Sequence, residues 1–277
     1  MTTIPATITA TTPTPTTWQT VQRTVASEFI KLRTVRSSVW LLVVATAFTL
    51  LLGPVQALGE VVTGPSAEVA RATGSGPVAL SIALTGTTTA TLLIGVLGVL
   101  LVTGEYLPRS IRTTFMLVPR RTHVVTSKML AGVFVVAATG VVAVAAAVTV
   151  SLALLAQADM SVTWSSPQVL RISAATVWYL VGWLVLGQTA GWLTRSKIGG
   201  SALLLGVMLF LTPLLGLIPG RAGETAVGLM PASAGAAMVG PGGADGLGDP
   251  VVGFALWTAY LVLCVPLSAW VAGRRDA

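Results

Sequence analysis

VALSIALTGTTTATLLIGVLGVLLV, residues Val78–Val102, is followed by TGEYLPRSIRTTFMLVPRRTHVVTSK, Thr103–Lys128, and then by MLAGVFVVAATGVVAVAAAVTVSLALLA, Met129–Ala156. The outer segments are continuous apolar runs without an ionisable side chain. The middle segment gathers Arg109, Arg112, Arg120, Arg121 and Lys128. About 20 apolar residues span a bilayer as a helix. The pattern therefore predicts two membrane spans joined by a basic connection. The runs do not alternate, which excludes a barrel. Helices remain, because lipid gives backbone groups no other partner.

Working outward, four further runs have the same character: Val39–Leu58, Ile172–Thr194, Ile198–Ile218 and Val251–Ala272. The predicted fold class is all-α, a polytopic membrane protein with six transmembrane helices. Residues 21–277 form one transmembrane domain behind a Thr- and Pro-rich tail, residues 1–20, expected to be disordered and cytoplasmic. That tail has no basic residue before Arg23 and no apolar core, so it does not read as a secretory signal. Composition agrees. Charged residues make up 9 % of the 277 and hydrophobic residues 54 %, against about 25 % charged in a soluble domain. Gly53, Pro54 and Gln56 predict a kink or early exit near the end of the first span. The third run exceeds what a bilayer needs, so it tilts or extends beyond the membrane.

Orientation follows from Lys and Arg in the connections. The segment before the first span carries Arg23, Lys31, Arg33 and Arg36. The connection after the second carries the five residues named above. Arg195 and Lys197 follow the fourth span, and Arg274 and Arg275 follow the sixth. The other three connections carry one each: Arg71, Arg171 and Arg221. This asymmetry places both termini and the basic connections in the cytoplasm. It also accounts for the net charge of +7 without nucleic acid, which is not an expected partner. Trp40, Trp192 and Trp270 fall near the cytoplasmic ends of spans and Trp164 near an outer face, where indole rings favour the interface. Trp178 and Trp183 lie deeper and are expected to pack between helices.

Two cytoplasmic pieces carry the distinctive chemistry. Val21, Val25, Phe29 and Leu32 recur at helical spacing, with Lys31, Arg33 and Arg36 mostly on other faces. A basic amphipathic helix leading into a span belongs in the interface. It serves as a lipid anchor or, beyond that, contacts a cytoplasmic partner. In the basic connection, Pro108 and Pro119 bracket a segment suited to a short helix. Ile111 and Phe115 share one of its faces, Arg109 and Arg112 flank it, and Glu105 precedes its N-terminus, where the helix dipole favours negative charge. So short a helix is not stable alone, and its apolar face needs lipid or protein to cover it.

SEFIKLRTVRSSVW (Ser27–Trp40) and GEY…R..RTTF…VPRR…SK (Gly104–Lys128) resemble the permease subunit of a type 2 ABC transporter, the exporter-like class common in high-GC bacteria. The resemblance covers nearly the whole chain in the order of its parts. It implies that the bracketed segment is a coupling helix docking into a cleft of a separate ATPase subunit, with Glu105, Arg109, Arg112 and Phe115 at the junction. It also implies a second permease copy or homologue, a bacterial cytoplasmic membrane, and a partly inserted element between the last two spans, where Leu229–Val239 lies.

The chain carries no Walker A lysine: Lys31, Lys128 and Lys197 follow Ile or Ser, whereas the motif needs Lys after Gly. ATP and Mg are therefore expected on the partner, with no cofactor in this chain. The single His123 and single Cys264 offer no catalytic or metal constellation, and the chain is not expected to be an enzyme. Within the spans, Thr85, Thr87, Thr88, Thr89, Thr91 and Gln188 are the polar groups. Gly187 and Gly191 stand at GxxxG spacing. These residues serve helix packing, or Thr88 and Gln188 mark a substrate path suited to uncharged, amphipathic cargo. A stand-alone secondary transporter or channel and a non-transporting membrane scaffold are the alternative functions. The first predicts related halves or a charged pore, and neither is evident.

Overall fold

The computed structural model describes residues 36–63, 76–104, 121–158, 166–240 and 246–274. Among them there is no strand, and six helices are long and apolar enough to cross a membrane. The protein is an all-α polytopic membrane protein. The expected amphipathic helix before Arg36 and the expected coupling helix at 108–118 lie outside the described residues.

Helix α1 (Arg36–Thr63) supplies the first span. The second is built in two pieces, α2 (Gly76–Ala83) and α3 (Gly86–Thr103). Helix α4 (Arg121–Leu155) and helix α5 (Pro167–Thr194) follow. The fifth span runs through α6 (Lys197–Leu205), a π-helical stretch at Gly206–Leu211, and α7 (Thr212–Leu215). Two short helices, α8 (Arg221–Gly228) and α9 (Pro231–Val239), precede the sixth span, α10 (Pro250–Arg274). All six predicted runs are thus helical.

Several local features follow from single residues. Asp249 accepts from the amides of Val251 and Val252 at 2.7 and 3.2 Å, and Pro250 takes the first helical position of α10; both satisfy orphan groups of a helix start. Arg195 adopts φ 52° and its amide bonds Gly191 O at 2.9 Å, a left-handed cap. Ser196 then caps α6 through the Gly199 amide at 3.2 Å, so α5 and α6 are joined by two residues. The π stretch precedes Pro213, whose missing N–H removes the ordinary i+4 donor to the Leu209 carbonyl.

The structure differs from three expectations. Of the kink or early exit expected at Gly53–Gln56, the early exit does not occur: α1 carries Pro54 inside it and continues to Thr63. Ala57 is fully buried, and the Thr85 hydroxyl donates to Gln56 Oε1 at 2.5 Å, so packing on the second span holds the helix past the proline. The second span is interrupted by a turn at Leu84–Thr85, where Thr87 N bonds Leu84 O at 2.9 Å. Trp192 is only 2 % exposed, packed inside rather than at an interface, whereas Trp40 and Trp270 are exposed.

Helix α5 is the hub. It packs on α3, α4, α6, α9 and α10, and its contact with α3 is the largest in the bundle. Glycines permit that approach. A Cβ on Gly187 would fall on the Gly95 carbonyl oxygen, and one on Gly98 would fall on the Leu184 carbonyl oxygen. Gly191 faces Val102. The expected GxxxG pair is a packing surface, as small residues at membrane helix contacts usually are. Trp183 and Trp257 meet at a tilt of 56°, with ring centroids 5.7 Å apart, above Gly182. Trp178 Nε1 donates to Thr258 Oγ1 at 3.2 Å, so both deep tryptophans pack between helices.

Gly187→Leu should prevent closure of α3 on α5. Overpacking costs about 1–3 kcal/mol or more, so the detergent-solubilised protein should melt several degrees lower or fail to fold. Gly59→Ala, whose Cβ meets nothing within 4 Å, should instead hold or raise the melting temperature, by about 0.5–1 kcal/mol of stability.

Candidate functional site

The turn at Leu84–Thr85 shapes a cavity of about 500 Å³ between α2, α3, α5 and α9. One wall is a row of hydroxyls from Ser81, Thr85, Thr87 and Thr88. Leu80, Leu84, Ile172 and Val239 supply apolar surface, and Tyr179 reaches in from α5. None of the described residues lining the cavity is charged. Tyr179 sits over Gly235 of α9 and against Trp257, with centroids 5.0 Å apart, so the aromatic cluster fixes one side of the cavity.

Helix α9 is held in place by Arg171. Its Nη1 donates to Met238 O at 3.3 Å and its Nη2 to Gly240 O at 2.7 Å. These carbonyls belong to the C-terminal end of α9, where a helix exposes unpaired acceptors and favours a positive group. Gly253 lets α10 approach closely, since a Cβ there would meet Met238 N at 2.6 Å. Tyr260 Oη donates to the Leu229 carbonyl just before α9. The segment Leu229–Val239, expected as an inserted element, is a short helix docked on α5 and α10. Arg171 was expected in a connection; it stands inside α5 because that helix begins at Pro167, before the apolar run.

A second polar node lies at the other end of α3. Lys128, expected in the basic connection, is on α4 and only 4 % exposed. Its Nζ donates to Leu101 O at 3.0 Å, a last-turn carbonyl of α3, where a basic group is favoured. Gln188 is fully buried; its Nε2 reaches Lys128 O at 3.5 Å, and its Oε1 has no partner. The node joins the two helices that flank residues 105–120 to the hub helix.

The two residues expected on a substrate path are thus separated. Thr88 is exposed and lines the cavity; Gln188 is not among its walls. From Thr88 to Thr103 the helix rises roughly 22 Å, so the cavity and the Lys128 node occupy opposite ends of the span. Of the other expected site residues, Arg36 is exposed at the start of α1. Phe29, Lys31, Arg33, Glu105, Arg109, Arg112 and Phe115 lie outside the described residues. Sequence reasoning missed Arg171 and Lys128 because each adjoins an apolar run without interrupting it; the signal was Pro167, a helix-starting residue upstream of Arg171. Among the described residues no group of three His, Cys, Asp or Glu side chains stands close enough to hold a metal.

No protein-family model matches the chain, and no curated protein matches it.

Arg171→Met should release the end of α9. Hydrogen bonds to charged groups contribute about 1.5–3 kcal/mol, so amide exchange of residues 231–240 should accelerate roughly ten-fold or more. Deuterium uptake followed by mass spectrometry reads this directly. Unchanged uptake would show that packing on α10 alone holds the helix.

Proposed function

We propose that the chain is the membrane-spanning permease subunit of an ATP-driven ABC transporter, most simply an exporter of the bacterial cytoplasmic membrane, with both termini cytoplasmic. The observation that carries this reading is the placement of an uncharged cavity and a basic connection at opposite ends of the α3 span. Cargo has a chamber at one end. A partner has a basic, proline-bracketed handle at the other.

In this reading the chain is not itself an enzyme. ATP and Mg bind a separate ATPase subunit, and a second permease copy or homologue completes the membrane unit. Glu105, Arg109, Arg112 and Phe115 dock on the ATPase. The Lys128 bond to Leu101 O supports the reading, because it clamps the two helices leading into and out of the docking segment. Movement of that segment then reaches α5 through Gln188. ATP-driven closure of the ATPase pair shifts the bundle between two packings, as rigid helices moving against one another do.

Co-purification with a candidate ABC ATPase subunit, co-expressed with this chain, tests the proposal. Wild type should retain the ATPase, and Phe115→Asp should lose it by about ten-fold or more, as for a buried aromatic anchor, with an unchanged melting temperature. Equal recovery from both proteins would contradict the docking assignment. Transport that persists in vesicles lacking any ATPase would instead identify a stand-alone carrier.

A further inference from the structure

We infer that the cavity between α2, α3, α5 and α9 is a binding site for an uncharged amphipathic molecule with a hydroxyl-bearing head and a single hydrocarbon chain. The starting point is Thr87. Threonines in these helices commonly fold their hydroxyl back onto the carbonyl four residues earlier: Thr49 on Ala45, Thr103 on Val99, Thr139 on Val135, Thr176 on Ile172, Thr189 on Val185. Thr87 does not. It is 6 % exposed, it lines the cavity, and its Oγ1 has no hydrogen-bond partner.

The cause is local. The acceptor four residues back is Ala83, and the turn at Leu84–Thr85 separates the two. The Ala83 carbonyl faces α1 instead, where a Cβ on Gly53 would collide with it. Gly86 fixes the same turn, because a Cβ there would fall on the Phe48 carbonyl oxygen. Two glycine contacts with α1 therefore hold a hydroxyl without a partner in a membrane helix, where water is scarce and an unpaired polar group is costly.

The remaining walls define what can satisfy it. Ser81, Thr85 and Thr88 add further hydroxyls to the lining, while Leu80, Leu84 and Ile172 add apolar surface. A charged head would find no counter-ion among the described lining residues, and desolvating it is expensive. Arg171 is nearby in sequence to Ile172, but its guanidinium bonds the Met238 and Gly240 carbonyls. The volume falls within roughly 300–1,000 Å³, the range of small-molecule sites. A head bearing vicinal hydroxyls can donate to and accept from the threonine row while one chain lies along the leucines. As a description of transported cargo this rests on the permease proposal; as a binding site it does not.

The test uses the full chain in phosphatidylcholine nanodiscs, without ATPase, and a diazirine-bearing monoacylglycerol as photoprobe. Labelling should saturate, map to residues 76–88 and 231–240, and be displaced by monoolein. Oleoyl lysophosphatidate, the same molecule with a phosphate, should compete at least ten-fold less well. Thr87→Val should weaken apparent affinity roughly 5- to 10-fold, the loss of one hydrogen bond. Ser81→Phe, at an exposed position, should abolish labelling by filling the cavity, and Thr49→Val should leave it unchanged. Labelling that the phosphate compound displaces equally, that neither cavity variant alters, or that spreads over outward-facing residues such as Phe254 and Val262 would overturn the inference. Saturable labelling without ATPase pairing would leave this site standing and remove only the permease proposal.

Discussion

The carbonyl oxygen of Gly95 occupies the space that a side chain on Gly187 would need. This contact between α3 and α5 determines the rest of the bundle. In lipid there is little hydrophobic gain from bringing two apolar helices together, so close packing and hydrogen bonds must hold them. Gly95, Gly98 and Gly187 allow backbones to meet, and α5 then has its other faces free for α4, α6, α9 and α10. The aromatic cluster of Tyr179, Trp183 and Trp257 exploits the same device, with Gly182 and Gly235 removing the atoms that the rings would strike.

Polar groups are distributed by the same constraint. Most helical threonines answer their own hydroxyls within one turn and leave the neighbouring helices nothing to satisfy. Irregular backbone changes this. At one end of α3, the break before Gly86 leaves Thr87 unanswered and opens the hydroxyl-lined cavity. At the other, the end of α3 offers the Leu101 carbonyl, which Lys128 takes. Arg171 does the same for α9. Two basic residues are thus used to finish helix ends, while the buried, unpartnered hydroxyl of Thr87 among the cavity walls invites a ligand.

The six spans were legible because a continuous apolar run needs no periodicity to be recognised as a membrane helix. The GxxxG spacing of Gly187 and Gly191 pointed correctly to packing, although its partners Gly95 and Gly98 were not singled out from the sequence. The break at Leu84–Thr85 was not legible. Its residues are apolar or hydroxylic, and it sits where α1 approaches closely at Phe48 and Gly53, a contact that no local pattern encodes. For the same reason Gly53, Pro54 and Gln56 left a kink or an early exit of α1 open, whereas burial of Ala57 and the Gln56–Thr85 bond carry the helix onward. Lys128 was grouped with its basic neighbours because sequence adjacency does not reveal that helix α4 starts at Arg121. Of the candidate site, Thr88 was found from its hydroxyl-rich surroundings; the cavity that gives it meaning depends on α9, more than 140 residues away in the chain.

The account depends on the cavity and the basic connection facing opposite sides of the membrane. Single cysteines placed at Ser110, Ser196 and Ala222, with the native Cys264 buried, measure this through a membrane-impermeant maleimide applied to intact cells and to inverted vesicles. Ser110→Cys and Ser196→Cys should react only in inverted vesicles and Ala222→Cys only in intact cells. Reaction of Ser110→Cys and Ala222→Cys from the same side would contradict the arrangement on which the proposed function rests.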